Sequence, residues 1–578
     1  MRSTPSGGLP SGAPAGWSFA KALILISCAY WLAVLLLPPF QDVALNDDWA
    51  YAFIVRCFLQ GGGIASHAIT EPTGIVQAAW GMIFTRLLGP GHGALRLSTL
   101  VLGWVGAMAF CDLLRQERRE SLECQDVVIG LLFAFNPLFF VLCPSFMTDV
   151  PALALSLATL AVSRRAFAGE LPAMRGLLLG SACAALAYGI RQTAILVPIG
   201  LTACYWRECR RTPRILLAIW SLPCAAAGGH QFWLHSTDGP SLGIHRWIWE
   251  GQAGWAGSWM LAVQRAAAAA VYCGLFSIPL AAAFWCDRPW ARMRRLPRSG
   301  WYAAAAAFAI VAVFFLCGGW LPYSPFPGDG RLAQGLFHEC SYVSRWGLGC
   351  FNINGMAFRP TTFIQGGWFW AVLSALSGVA LVTLAALAAD APPASARLAL
   401  LAFGPQFLLF LLSAYFFDRY ILTLVPAALL CGQAAVGRSA RSRLALGIGT
   451  LAVAAFTWAG TSDYLRATAA AWDLGRRAVS AGVPASEVHA DLDWCWAHNE
   501  DRVVAEFRWR FKERIPTDET ALPCIREPEA LVTFKAPARS PFVLMGSEDF
   551  FSPLAWRTER LYLYRRAAAR AARTRPDS

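Results

Sequence analysis

The sequence predicts an all-α polytopic membrane protein of about 13 transmembrane helices, followed by a small α/β or α+β soluble domain at the carboxyl end. Three observations predict it. Of 578 residues 56% are apolar and 15% charged, and the mean hydropathy of +0.45 lies outside the balance that a water-soluble domain keeps. Thirteen apolar runs are separated by short arginine clusters. Beyond residue 461 the hydropathy falls, and "EVHADLDWCWAHNEDRVVAEFRWRFKER" mixes charges of both signs.

Taken in chain order, a Gly/Pro/Ser stretch to about residue 16 reads as flexible. It leads into "KALILISCAYWLAVLLLPPF", which lacks a small-residue cleavage site and so reads as a retained anchor. The expected spans are 22–40, 94–114, 125–143, 150–166, 176–190, 192–206, 214–234, 259–285, 301–319, 366–389, 397–416, 420–437 and 443–461. The run 75–90, "IVQAAWGMIFTRLLGP", is shorter and carries Gln77 and Arg86, so it is either a further span or a helix lying at the surface. Parity decides between these. With 75–90 interfacial, the arginine clusters 115–119, 164–175, 207–214, 288–298 and 438–443 all fall on the cytoplasmic side. With 75–90 crossing, Arg115, Arg118 and Arg119 would face outward.

The expected product is a multi-pass protein of the inner (plasma) membrane with a cytoplasmic amino terminus. Residues 1–461 form the membrane domain, with outer loops 41–93, 235–258 and 320–365. Residues 462–564 form an extracytoplasmic soluble domain, and 565–578, "RRAAARAARTRPDS", a basic disordered tail. The net charge of +13 does not mark a nucleic-acid binder, because the arginines fall between apolar runs as topology signals. The seventeen cysteines fit no zinc spacing, and most lie inside spans. Cys340 with Cys350, and Cys495 with Cys524, would face an oxidising compartment and are candidate disulfides.

The outer face gathers the chemistry. In "LNDDWAYAF", residues 45–53, Asp47 and Asp48 stand at the mouth of a span. They either terminate a helix as solvated acids, or supply a general base toward an acceptor hydroxyl, the second acid orienting the first or holding a cation. In "SFMTDVPALAL", Thr148 or Asp149 caps the helix that Pro151 opens, or Asp149 brings a second acid to the same cavity. "YGIRQTAIL" and "FFDRYILTLVP" place Arg191 and Arg419 at that face, as interfacial ion pairs or as ligands of a phosphate at headgroup depth. Trp247, Trp249, Trp255 and Trp259 read as an interfacial belt or a sugar-stacking lid. His245, His338, Glu339 and Arg345 are too scattered to rank.

On these residues the chain resembles the GT-C class of polyprenyl-phosphate-sugar-dependent glycosyltransferases, in its protein O-mannosyltransferase and lipid A aminoarabinose transferase branch. The family's first outer loop carries paired acids and then Tyr-Ala, matched by Asp47, Asp48, Tyr51 and Ala52. Its Thr-Asp-x-Pro-like turn matches Thr148, Asp149 and Pro151, and its Arg-Tyr opening of a late span matches Arg419, Tyr420 and Pro426. The Lys-Pro-Pro pattern after the first loop is replaced by "EPTGIVQAAWG", where His67 and Glu71 are the nearby polar candidates. The resemblance implies a GT-C-like membrane domain and a polyprenyl-phosphate sugar donor. It also implies an extracytoplasmic lipid, glycan or protein acceptor, and single-step transfer with inversion. Asp47 and Asp48 would be the catalytic pair, with Tyr51, Asp149, Arg191, Arg419 and Tyr420 binding substrate. Some members use a divalent cation and others none. If one binds here, Asp47, Asp48 and Asp149 are the hard oxygen ligands for Mg or Mn. A transporter or flippase for a lipid-linked or anionic solute is the rival class. Such proteins place ionisable groups near the midplane and carry internal repeats, neither of which this sequence shows. A structural envelope subunit would leave the ordered acids and arginines unexplained.

Overall fold

The structure, a computed structural model, describes residues 18–61, 74–118, 122–236, 255–316, 319–322, 341–359, 362–389, 392–413, 416–437, 439–500, 523–535 and 541–567. The expectations for His67, Glu71, His245, Trp247, Trp249, His338, Glu339, Cys340, the first 16 residues and the tail beyond residue 567 fall outside these, while Arg565 and Arg566, expected in the disordered tail, instead end the strand Arg557–Arg566.

Among the described residues nine helices are long and apolar enough to cross a membrane, which makes the chain a polytopic membrane protein. The other four of the thirteen expected runs are also helical, but shorter or broken. The first is the helix Phe19–Leu35. The remaining three break where proline, lacking an N–H and restricting the residue before it, opens a new helix. Run 125–143 divides into Cys124–Ala134 and Pro137–Leu142, where the Asn136 side chain accepts from the N–H groups of Leu138 and Phe139. The 3₁₀ turns Gln192–Leu196 and Asp418–Thr423 precede the helices Val197–Cys204 and Val425–Gly432, with Pro198 and Pro426 in their first turns. Run 75–90 forms the 14-residue helix Ile75–Leu88.

These short turns matter, because Arg191 immediately precedes one and Arg419 lies within the other. Close helix approach then fixes them laterally. A Cβ at Gly200 would lie 2.4 Å from the Ala402 backbone nitrogen, so only glycine lets Val197–Cys204 press against the helix Ala394–Leu411.

The arginine clusters converge at the end of the bundle opposite Arg191 and Arg419. There Arg115 Nη2 lies 2.7 Å from Glu170 Oε2, Arg164 pairs with Glu117, and Glu117 receives the N–H groups that open the helix Ala394–Leu411. Tyr205, just before the cluster 207–214, stacks on Phe167, and Arg292 donates to the Ala435 carbonyl at 2.7 Å.

Residue 461 marks no break. The helix Ala440–Ser480 is 41 residues long, roughly 60 Å at 1.5 Å per residue and about twice the hydrocarbon thickness. Its second half becomes the spine of the carboxyl-terminal region. That region is an α+β unit with a four-stranded sheet in the order β3-β4-β6-β5 (Val488–His489, Ala530–Thr533, Arg557–Arg566, Phe542–Ser552). β3 pairs with β4 in parallel, and the other two pairings are antiparallel. A small hairpin, β1 (Val343–Ser344) with β2 (Gly347–Leu348), lies between the helices Arg298–Leu316 and Gly367–Ala388.

Contacts fasten this unit to the first loop. Asn46 N–H donates to Asp493, Arg56 pairs with Glu500 at 3.0 Å, Arg476 donates to the Asp42 carbonyl at 3.2 Å, and Trp49 stacks on Trp496 with ring centroids 6.3 Å apart. A tie to a different loop is the buried Arg359, whose Nε reaches Glu559 on β6 at 2.6 Å and whose Nη2 reaches Asp463 at 2.7 Å. Cys495 and Cys524 are buried, adjacent free thiols.

Candidate active site

Asp149, Arg191 and Arg419 come together from three separate segments. Asp149 opens the helix Asp149–Phe167, Arg191 follows the end of the antiparallel helix Ala173–Ile190, and Arg419 sits in the turn Asp418–Thr423. Arg191 Nη1 donates to Asp149 Oδ1, and Arg419 Nε lies 3.7 Å from Asp149 Oδ2. Thr148 is the N-cap residue but makes no side-chain capping bond, and the Asp149 carboxylate faces the two arginines.

Aromatic faces hold the guanidinium groups. Arg191 lies 5.2 Å from the Phe410 ring centroid and 5.1 Å from that of Tyr420, and these two rings stack on each other at 4.2 Å. Arg419 lies 4.2 Å over Phe417. Arg419 Nε and Nη1 make no hydrogen bond among the described residues, although the residue is buried. Two guanidinium groups face the one buried carboxylate of Asp149, and the second carboxylate near them is that of Asp47.

Asp47 stands beside this set, its Oδ2 3.8 Å from Arg419 Nη2. It is the N-cap residue of the helix Asp48–Leu59, yet its carboxylate makes no capping bond, and its side chain is 39% exposed. An exposed carboxylate within reach of a cationic pair has the access that a proton acceptor needs. Asp48 takes a different place. It is wholly buried, accepts the Leu45 N–H at 2.7 Å, and lies 3.7 Å from His92 Nδ1. Burial pushes its carboxyl up to about 7. Asp48 thus shapes the loop from behind Asp47.

A small cleft of about 20 Å³, room for about one water molecule, lies at the arginines along the helices Asp149–Phe167 and Ala394–Leu411. Its walls are largely apolar, with Leu153, Phe403, Phe410 and Leu422, and are interrupted by Ser156 and Gln406. Tyr420 lines it. Tyr51 does not, for its ring packs against Gly74. Arg345 is exposed at the tip of the β1-β2 hairpin, and Trp259 is exposed near the start of the helix Trp255–Phe276.

The aspartates expected as cation ligands do not converge. Asp48 is turned toward Leu45 and His92, and Asp149 is bracketed by two arginines. Among the described residues no group of three His, Cys, Asp or Glu side chains is arranged to hold a metal ion. Asp47, Asp48 and Asp149 do not fit Mg or Mn, and the chemistry below uses none.

Sequence reading missed four supports. Arg96, fully buried, donates to the carbonyls of Pro39, Gln41 and Val43 and laces the first loop. Gln406 brings a buried amide nitrogen, without a hydrogen-bond partner among the described residues, to the cleft wall. Both sit inside apolar runs, where a polar side chain is costly enough to be a signal by itself. Asp418 accepts the N–H groups of Tyr342 (3.0 Å) and Val343 (2.7 Å), so the hairpin loop is tied to the residue before Arg419. Burial pushes the Asp418 carboxyl up to about 6. Asn46 is the fourth.

No protein-family model matches the chain, and no curated protein matches it. Among solved structures it is similar to ArnT from Cupriavidus metallidurans in the apo state, at 13% identity and a TM-score of 0.38, over 94% of this chain and 97% of that one. It is also similar to ArnT from Cupriavidus metallidurans bound to undecaprenyl phosphate, at 14% identity and a TM-score of 0.42, over 94% of this chain and 98% of that one.

Proposed function

We propose that the protein is an integral membrane glycosyltransferase that moves a sugar from a polyprenyl-phosphate donor to an extracytoplasmic acceptor hydroxyl with inversion. The observation that carries this reading is the buried Arg191–Asp149–Arg419 set, with Arg419 donors that make no hydrogen bond among the described residues, beside the partly exposed Asp47 and a cleft with largely apolar walls. A lipid-linked phosphodiester has matching parts. Its single negative charge suits the arginines, its chain suits the apolar walls, and its sugar would lie on the Asp47 side.

In the reaction Asp47 takes the proton of the acceptor hydroxyl, and the oxygen attacks the anomeric carbon. The bond from that carbon to the phosphate oxygen breaks, and its electron pair leaves with the lipid phosphate, whose charge Arg191 and Arg419 balance. The exposed Asp47 then returns its proton to water. Gathering of the arginine clusters at the opposite end supports a cytoplasmic placement of that end and an outward-facing cleft. On this reading residues 462–564 form the extracytoplasmic domain.

The test is transfer itself. Purified protein is supplied with radiolabelled polyprenyl-phosphate sugars and an envelope extract, and label is followed from the lipid to lipid, glycan or protein fractions. Movement of label from the donor lipid into one of these fractions is the expected result. Retention of all label on the lipid under every condition would instead favour a transporter.

A further inference from the structure

We infer that Asp493, in the carboxyl-terminal region, is a positioning residue that holds Asn46 and thereby aims Asp47 at Arg419; the inference rests on the proposed role of Asp47. Asn46 is buried and has φ of +53°, in the left-handed region that few residues other than glycine enter, asparagine being among them. That bend sets the direction of the chain one residue before Asp47. Two bonds hold it. The Asn46 N–H donates to Asp493 Oδ2 at 2.8 Å, and Asn46 Nδ2 donates to Tyr342 Oη at 3.1 Å.

Each partner is itself anchored. Asp493 lies in the short helix Leu492–Ala497, whose N-cap Asp491 accepts from Trp494 N–H at 2.7 Å and from Trp472 Nε1 at 3.0 Å. Tyr342 is held through its N–H by Asp418, the residue before Arg419. The base and the phosphate arginine thus each follow an anchored residue, and Tyr342 joins the two anchors. The unit folded from the last part of the chain completes a site carried by the first and middle parts.

The experiment compares Asp493→Leu, which has similar bulk and no acceptor, with Asp493→Asn, whose amide oxygen can still receive the Asn46 N–H. Both are measured for lipid-sugar transfer beside Asp47→Asn. Misplacing a reacting group by about 1 Å costs on the order of 10²-fold, so Asp493→Leu should lose about that much kcat with donor KM unchanged. Asp493→Asn should stay near wild type. Asn46→Gly keeps both the N–H and the backbone angle and should retain most turnover, whereas Asn46→Ala should lose it. This second pair leaves the carboxyl-terminal unit intact and decides the matter if Asp493→Leu fails to fold.

Wild-type kcat in Asp493→Leu, or equal losses in Asn46→Gly and Asn46→Ala, overturns the inference while Asp47→Asn remains inactive. Full activity of Asp47→Asn overturns the reading of Asp47 itself, and this inference with it.

Discussion

Arg359 and Arg419 are both buried, each stands beside two carboxylates, and each packs over an aromatic ring, yet their bonding differs. Arg359 makes three hydrogen bonds to carboxylate oxygens, at 2.6 to 2.8 Å, and Arg557 lies 3.7 Å from Glu559 to balance the second acid. Arg419 has its carboxylates at 3.7 and 3.8 Å and carries two nitrogens with no hydrogen bond among the described residues. Arginine burial is alike in both places, so it does not separate fastening from function. Distance does. Arg359 is bonded closely to both of its acids and clamps the sheet to the bundle, although its Nη1, Glu559 Oε1 and Arg557 Nε make no hydrogen bond among the described residues, while Arg419 stands off from its acids and, on the proposed reading, is the one that meets an anion.

This contrast can be broken by experiment. Arg359→Ala strands Asp463 as a buried unpaired acid and leaves Glu559 with the more distant Arg557 alone, a loss expected to cost about 3–5 kcal/mol. The apparent melting midpoint in detergent should fall by many degrees. Arg419→Ala leaves Asp149 with Arg191, so its midpoint should move far less, while affinity for a lipid phosphate should drop about 10- to 100-fold with the loss of charged hydrogen bonds. A larger stability loss in Arg419→Ala than in Arg359→Ala would reverse the two assignments.

A smaller effect sharpens the division between Asp47 and Asp48. In the unfolded chain Asp48 ionises near its ordinary value of 3.8, whereas in the folded protein it holds its proton until about 7. Between these values the folded state carries the extra proton, so this group makes stability fall as pH rises from about 4 to about 7. Asp48→Asn removes the titration and keeps an acceptor for Leu45 N–H. Its midpoint should exceed that of wild type most at pH 8, with the difference closing toward pH 4. Parallel curves would show that Asp48 does not titrate as its burial requires.

The smallest effect concerns Cys495 and Cys524. They lie adjacent as thiols, and in an oxidising compartment they should form a disulfide, read as a loss of two mass units in the joined peptides under non-reducing conditions. Free thiols in protein taken from the membrane would argue against an outward-facing carboxyl-terminal unit.

Much of the fold was legible, because spans are written in runs of apolar residues and the clusters around Arg115, Arg164 and Arg292 mark one end of the bundle. That Asp149, Arg191 and Arg419 gather was legible because charge at a span end stands out. The burial of Asp48 was not, since adjacency along the chain cannot show that one carboxylate turns inward at a helix start while its neighbour stays partly exposed. Asn46 was invisible because its partner Asp493 is 447 residues away and its bend is a backbone property. Gln406 and Arg96 were overlooked because each run was read for its average hydropathy, where one polar side chain is diluted.

The most direct test of the cleft as a transfer site measures donor binding and turnover on the same preparations of wild type and Asp47→Asn. A positioned general base contributes typically about 10²- to 10⁴-fold, so Asp47→Asn should lose turnover by that factor while binding the polyprenyl-phosphate sugar as tightly as wild type. Full transfer by Asp47→Asn, with the donor still bound, would contradict the mechanism.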